Sequence, residues 1–365
     1  MFRSHPGLRP FLFLAAVYAV FAPSTALAQT SVFSDTHFVL YGAGTNQDPL
    51  TGTVAGDLPL TALERALNIW DAWLPASDTQ VIHLYAGWDI TPLSTNSLAS
   101  TTNHGYYRDF TGAPLTHTWY PTALADYLAQ RAGSTVGTGT LFEASTANDG
   151  QRDWDAAITF ASTAPNGKSW SYTDATLNGN TYDFVSIALH EIGHVLGFTG
   201  NFDVYGEWNI SGYPTIYDTL LLDKTTGRLL WKESPYNGLP ANKGKFLKDS
   251  IVWDGTQGDA AYLAAYGLGS TGGDVPLNVS GSYTQGSSLY HVYPPSGVDL
   301  MSATRDPGVA VHTISSVDTG MLRDEGWTGA GMGSPAATPE LPVAMLLVTP
   351  GPMLLLLRRR RRRVH

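Results

Sequence analysis

Apolar positions recur with helical spacing along LTALERALNIWDAWL, Leu60 to Leu74, where Leu63, Ala66, Leu67, Trp70 and Leu74 share one face. That spacing predicts an amphipathic helix packed on a core. QVIHLYAG (80–87) and DAAITFAS (155–162) are short apolar runs that predict strands. Residues 89–118, rich in Thr, Ser, Asn and Gly, read as loop. TALADYLAQRAG (122–133) reads as a short helix, and NGKSW as a turn. Further on, YDTLLLDKTTGRLLW (217–231) predicts two strands around a Lys-Thr-Thr-Gly turn. GDAAYLAAYG predicts a short helix, and ISSVDTGMLRDEGW an amphipathic one. No internal repeat is evident.

The most informative stretch is DFVSIALHEIGHVLGFTGN, Asp183 to Asn201. Val185, Ala188, Ile192 and Val195 give a helix an apolar flank, and Asp183 can cap its first turn. His190 and His194, four apart, project to the same side. Gly197 is expected to stop the helix in a left-handed conformation. With Glu191 beside the first histidine, this is the H-E-x-x-H arrangement of a zinc site. Two neutral imidazoles on one helix face supply half of a tetrahedral cage, and a neighbouring carboxylate can move a proton to and from water. The plainer reading is a coincidental H-E-x-x-H on an ordinary helix, which ten histidines in 365 residues make a poor explanation. A hydrolytic zinc needs three protein ligands. The short extended motif would place the third histidine at position 200, which is Gly200. The candidates elsewhere are His291, His312 and the carboxylates Asp203 and Glu207.

Composition narrows the setting. Hydrophobic content of 43% with 14% charged residues indicates a folded chain. Residues 1–28 carry Arg3 and Arg9, an apolar run from Phe11 to Ala22 and an Ala-x-Ala ending at Ala28, the layout of a secretory signal. At the other end, an apolar stretch from Leu341 to Leu357 precedes six arginines, Arg358 to Arg363. Prolines interrupt it, and it is slightly short for a membrane span. Between these ends, 13 basic residues face 30 acidic ones, a net charge near −17 for residues 29–330. That balance argues against a nucleic-acid partner, whose phosphates need Lys and Arg. With no cysteine, neither a disulfide nor a thiol-based latency is available. NDGQRDWD (148–155) clusters carboxylates that could hold Ca2+; its spacing is not that of an EF-hand loop, and a solvated turn is the simpler reading. His37, His83, His104 and His117 read as structural or surface residues.

HEIGHVLGF also resembles metzincin-type zinc peptidases. In their leishmanolysin-like branch the third histidine follows a long insertion, and a Met-containing turn comes about ten residues later. GSSLYHVYPPSGVDLMSA offers His291 and Met301 in that pattern, with the segment ending LRDEGW where such enzymes place a last helix. The resemblance covers roughly Ala156 to Trp327. It implies an α+β metzincin-like zincin domain at 29–330, with an insertion at about 200–290. It implies Zn2+ held by His190, His194 and His291, Glu191 as general base and acid, and Met301 as an apolar floor. The strand Ala156 to Ser162 would be the rim that takes a peptide substrate as an added strand. Some metzincins carry a tyrosine two residues after the Met-turn methionine; Ala303 stands there, so none is assigned. The tail at 331–365 resembles PEP-CTERM sorting tails of exported Gram-negative proteins, although Leu341 separates Pro339-Glu340 from Pro342. That resemblance implies membrane insertion before processing by an exosortase-type enzyme, and a plain membrane anchor is the alternative. The function expected is an exported zinc endopeptidase. The rivals are a non-catalytic surface or matrix protein that retains the fold, and a zincin with a carboxylate third ligand.

Overall fold

The structure, a computed structural model, describes residues 31–42, 47–50, 58–89, 93–94, 96–143, 154–202, 212–232, 251–269, 271–279, 287–295 and 297–329. The chain begins with β1 (Ser31–Ser34), β2 (Phe38–Gly42), β3 (Gln47–Pro49), α1 (Leu58–Asp71) and β4 (Ile82–Asp89). There follow β5 (Ala99–Asn103), β6 (Gly105–Arg108), β7 (Tyr120–Pro121), α2 (Thr122–Arg131), β8 (Thr140–Glu143) and β9 (Ala156–Phe160). Next come β10 (Ser169–Ser171), β11 (Thr181–Asp183), α3 (Phe184–Leu196), β12 (Leu221–Asp223), β13 (Arg228–Leu229), β14 (Ile251–Trp253), α4 (Thr256–Tyr266) and α5 (Ser316–Glu325). The fold is mixed α+β.

The principal sheet has the order β1-β2-β4-β9-β5, with β3 also pairing β4. β2, β4 and β9 run parallel, whereas β1 and β5 are antiparallel to their neighbours. In β9, Ala156, Ile158 and Phe160 are buried while Ala157 and Thr159 are half-buried, the alternation of a pleated strand covered on one face. The direct partners of those buried residues on β5 are Asn103, Thr101 and Ala99, which therefore share their face. α1 buries Ala62, Leu63, Ala66, Leu67 and Trp70, and the Trp70 indole donates to Leu189 O on α3 at 2.9 Å. This is the face that the spacing from Leu60 to Leu74 predicts, with Leu74 buried in the turn beyond the helix.

Several expectations change. Residues 89–118 are not all loop, because β5 and β6 lie within them. β5 is a polar strand, in which Thr suits an extended backbone without supplying an apolar signal, and β6, Gly-Tyr-Tyr-Arg, is too short to show an alternation. The strand at Ala156 to Ser162 is not a rim: β9 is internal, paired by β4 on one side and β5 on the other, and β5 is the edge strand of the described sheet. The Lys-Thr-Thr-Gly turn joins only short strands, β12 and β13, flanked by single turns of 3-10 helix and completed by β14. In the C-terminal part, Asp324 of α5 accepts from Trp253 Nε1 and from the Gln257 and Gly258 N–H groups, which caps α4 from outside its own chain segment. No helix of the described residues is long and apolar enough to cross a membrane.

Asp155 enters β9 with its carboxylate buried, accepting from His83 N at 2.7 Å. Burial first, and then the charge of Asp126, push it up to about 8, although the His83 hydrogen bond acts the other way. A carboxyl raised in the folded state contributes stability that is complete at low pH and is lost as pH rises through the folded value. Asp155→Asn keeps an acceptor for His83 and cannot ionise. Urea unfolding between pH 5 and 8 is expected to show the variant gaining on wild type with rising pH, at up to about 1.4 kcal/mol per pH unit. A pH-independent difference would contradict this account.

Candidate metal centre

α3 is fixed at both ends before any ligand is considered. At its start the Asp183 carboxylate accepts from Ser186 N at 2.8 Å, the cap that the sequence predicts. At its end Trp327, just past α5, donates its indole N–H to Leu196 O at 2.7 Å. Val185, Ala188, Ile192 and Val195 are fully buried, as are Phe184, Leu189 and Leu196. The helix is thus buried on nearly every side, and His190 and His194, its two residues that are not buried, line a cleft.

His291 comes to the same point from 97 residues beyond His194. His190 Nε2 lies 3.1 Å from both His194 Nε2 and His291 Nε2. Each Nδ1 meets a backbone carbonyl: Leu300 O at 2.8 Å from His190, Phe198 O at 2.6 Å from His194, and Ser287 O at 2.7 Å from His291. A carbonyl only accepts, so each Nδ1 carries the proton and each Nε2 presents a lone pair. Burial, ahead of the neighbouring imidazoles, drives the pKa of His190 well below its usual value and that of His291 down to about 3. Burial alone lowers His194 to about 4. With His190 Nε2 3.1 Å from each of the other two and all three within 4.8 Å of one another, the lone pairs repel unless a cation lies between them. The spacing suits a tetrahedral zinc, whose bonds of about 2.0–2.1 Å separate neighbouring nitrogens by about 3.3 Å.

Three glycines of the motif make room for this arrangement. A Cβ at Gly193 would collide with Met301 Sδ, and Met301 is fully buried beneath the helix between His190 and His194. Gly197 does end the helix, but with φ 165°, not in the left-handed region. Its requirement is contact: a Cβ there would overlap the Glu325 carboxyl. At Gly200, where the short motif has its third histidine, a Cβ would run into the Tyr290 ring and Asp218 Oδ1. The residue preceding His291 therefore occupies the space that a side chain at 200 would need.

Glu191 is 5% exposed and lies in a cleft of about 790 Å³ that the three histidines also line. Burial raises its carboxyl to about 7, against the lowering effect of a hydrogen bond from Thr101. Thr101 Oγ1 is 2.7 Å from Glu191 Oε2, and on the same strand Asn103 Nδ2 donates to His194 O at 3.2 Å. β5, which sequence reading misses, thus forms one wall of the cleft and touches the motif helix twice. The Thr-Ser-Asn composition of β5 carries no signal of this.

The other candidates lie elsewhere. His312 is bonded to Asp183 Oδ2 at 2.6 Å and approached by Arg65 Nη2 at 3.1 Å, so it braces the helix cap and does not reach the three histidines. Asp174 joins that cluster, where the Arg65 guanidinium supplies the positive charge. Asp203 and Glu207 lie outside the described residues, as do residues 148–153 of the carboxylate-rich loop considered for Ca2+. His37, by contrast, is a structural histidine, with Nδ1 2.7 Å from Asp71 Oδ1. Compared with known proteins, the chain matches no family model, no curated protein and no solved structure.

The geometry predicts that His291→Ala abolishes stoichiometric zinc binding, read by metal analysis after dialysis. Adding Gly200→His to that variant is expected to leave zinc unbound and to cost a further ~1–3 kcal/mol of stability, because the Tyr290 ring fills the space. Recovery of one zinc per chain would show that position 200 can reach the metal.

Proposed function

We propose that this chain is an exported zinc-dependent endopeptidase with a metzincin-like catalytic domain. The observation that carries the reading is the convergence of three Nε2 lone pairs beside a buried glutamate in an open cleft. A structural zinc closes its fourth position with another protein ligand; here the fourth side faces the cleft.

A zinc ion held by His190, His194 and His291 would supply Lewis acidity toward a scissile carbonyl and leave one position open to water. Glu191 takes a proton from the attacking water and returns it to the leaving amine. Burial raises this carboxyl above the usual range in the metal-free chain, the direction that makes it the better proton acceptor. β5, and not β9, is the edge strand of the sheet among the described residues, and an extended peptide can pair along it by backbone hydrogen bonds. Met301, fully buried against Gly193 between the two helix ligands, would be the apolar floor of the site. Export follows from the secretory layout of residues 1–28. A sorting or anchoring role follows from the apolar, arginine-ended tail, which would engage a membrane and an exosortase-type enzyme. Both segments lie outside the described residues.

The test is zinc content and casein hydrolysis of the purified protein beside Glu191→Gln. The variant is expected to retain one zinc per chain and to lose about 10²- to 10⁴-fold in kcat. If wild type bound zinc but hydrolysed no protein or peptide, the reading would give way to a non-catalytic surface protein.

A further inference from the structure

We propose that Thr101 is a positioning residue for Glu191, holding Oε2 so that Oε1 alone is free for proton transfer; this rests on the peptidase reading above. The strand sets the geometry. β5 alternates, with Ser100 and Thr102 exposed and Ala99, Thr101 and Asn103 turned toward α3. Thr101 Oγ1 is placed 2.7 Å from Glu191 Oε2 and 3.0 Å from the backbone oxygen of the same residue. A hydroxyl has one proton to donate, and the carboxylate oxygen is the nearer and the stronger acceptor. No other hydrogen bond to the Glu191 carboxylate is present among the described residues, so Oε1 is left to the cleft.

A glutamate side chain has three rotatable bonds, and in a wide cleft it would sample several rotamers. One fixed oxygen removes most of that freedom and leaves the second lone-pair site at a defined place, which is what a general base requires. The donor also belongs to the strand that is the sheet's edge among the described residues, where a peptide could pair. A substrate pairing with β5 would therefore stiffen the element that holds the base.

The test uses the full protein and three variants: Thr101→Val, which keeps the shape and removes the hydroxyl, Thr101→Ser, which keeps the hydroxyl, and Glu191→Ala. Thr101→Val is expected to lower kcat on casein-derived peptides by about 10- to 100-fold, with KM and zinc content unchanged, and Thr101→Ser to recover most of the loss. A second readout needs neither metal nor activity. In urea unfolding of the metal-free protein, Thr101→Val and Glu191→Ala are expected to be non-additive, the double variant losing no more than the worse single one. An unchanged kcat in Thr101→Val, a serine variant no better than valine, or additive losses would each overturn the proposal. If wild type hydrolysed nothing, the peptidase reading would fail. The unfolding cycle would then still decide whether Thr101 holds Glu191, and additive losses there would remove the positioning role as well.

Discussion

Three backbone carbonyls decide what this molecule can be. Leu300, Phe198 and Ser287 each accept an Nδ1 proton, and so turn three imidazole lone pairs toward one point. Without those acceptors the rings could take either tautomer or rotate into hydrogen bonds with one another. The three carbonyls come from separate places: the turn before Met301, the residue after the helix stop, and the segment leading to His291. Holding them in register depends on long-range pairing. Val292 N donates to Met301 O at 2.9 Å, and Asn278 N to His291 O at 2.8 Å, so the loop bearing the third histidine is sewn on both sides. Leu289, two residues before His291, is held at φ 73°, a conformation that costs a non-glycine residue about 1–2 kcal/mol. Its N–H and carbonyl are both bonded, to Asn278 O and Tyr217 Oη, which keeps it there.

How much the sequence reveals follows from how local each signal is. α1 and α3 carry their apolar positions at helical spacing, and both lie close to the predicted residues with the predicted faces buried. The Asp183 cap is equally local. β5 escapes the pattern because its inward positions are Ala99, Thr101 and Asn103: that strand faces the cleft and the motif helix, where polar side chains have partners, so the hydrophobic alternation that marks a strand is missing. The same absence shifts the expected rim onto β9, whose apolar pattern is the one a central strand needs. A resemblance nominates His291, whereas spacing alone cannot reach it, because the pairings that carry it to His190 span residues 277 to 302. For Gly197 the sequence locates the helix stop and misses its cause.

The cause at Gly197 is general to the motif. Within HEIGHVLGFTG, glycines stand at 193, 197 and 200, and each leaves a gap filled by a side chain far away in sequence: Met301, Glu325 and Tyr290. The motif helix and the turn after it are thus a set of sockets, and the chain beyond residue 287 plugs into them. Local conformation explains none of the three glycines, because none has a φ in the left-handed region. Steric demand from partners distant in sequence explains all of them.

Glu325 is the most demanding of those partners. It is 1% exposed, neither carboxyl oxygen has a hydrogen-bond partner among the described residues, and it abuts the C-terminal end of α3 at Gly197. The end of a helix carries partial negative charge from its free carbonyls, so an ionised carboxylate there would be repelled as well as desolvated. Burial first, then the charges of Asp324 and Asp218, hold its carboxyl well above the usual range, and the neutral acid is the form that fits. A neutral carboxyl packs like a small amide, close against a backbone without a side chain, and this is what a glycine at 197 permits. The helix stop, the absent Cβ and the proton on Glu325 are then one requirement, set by the need to seat α5 against the end of the helix that bears His190 and His194.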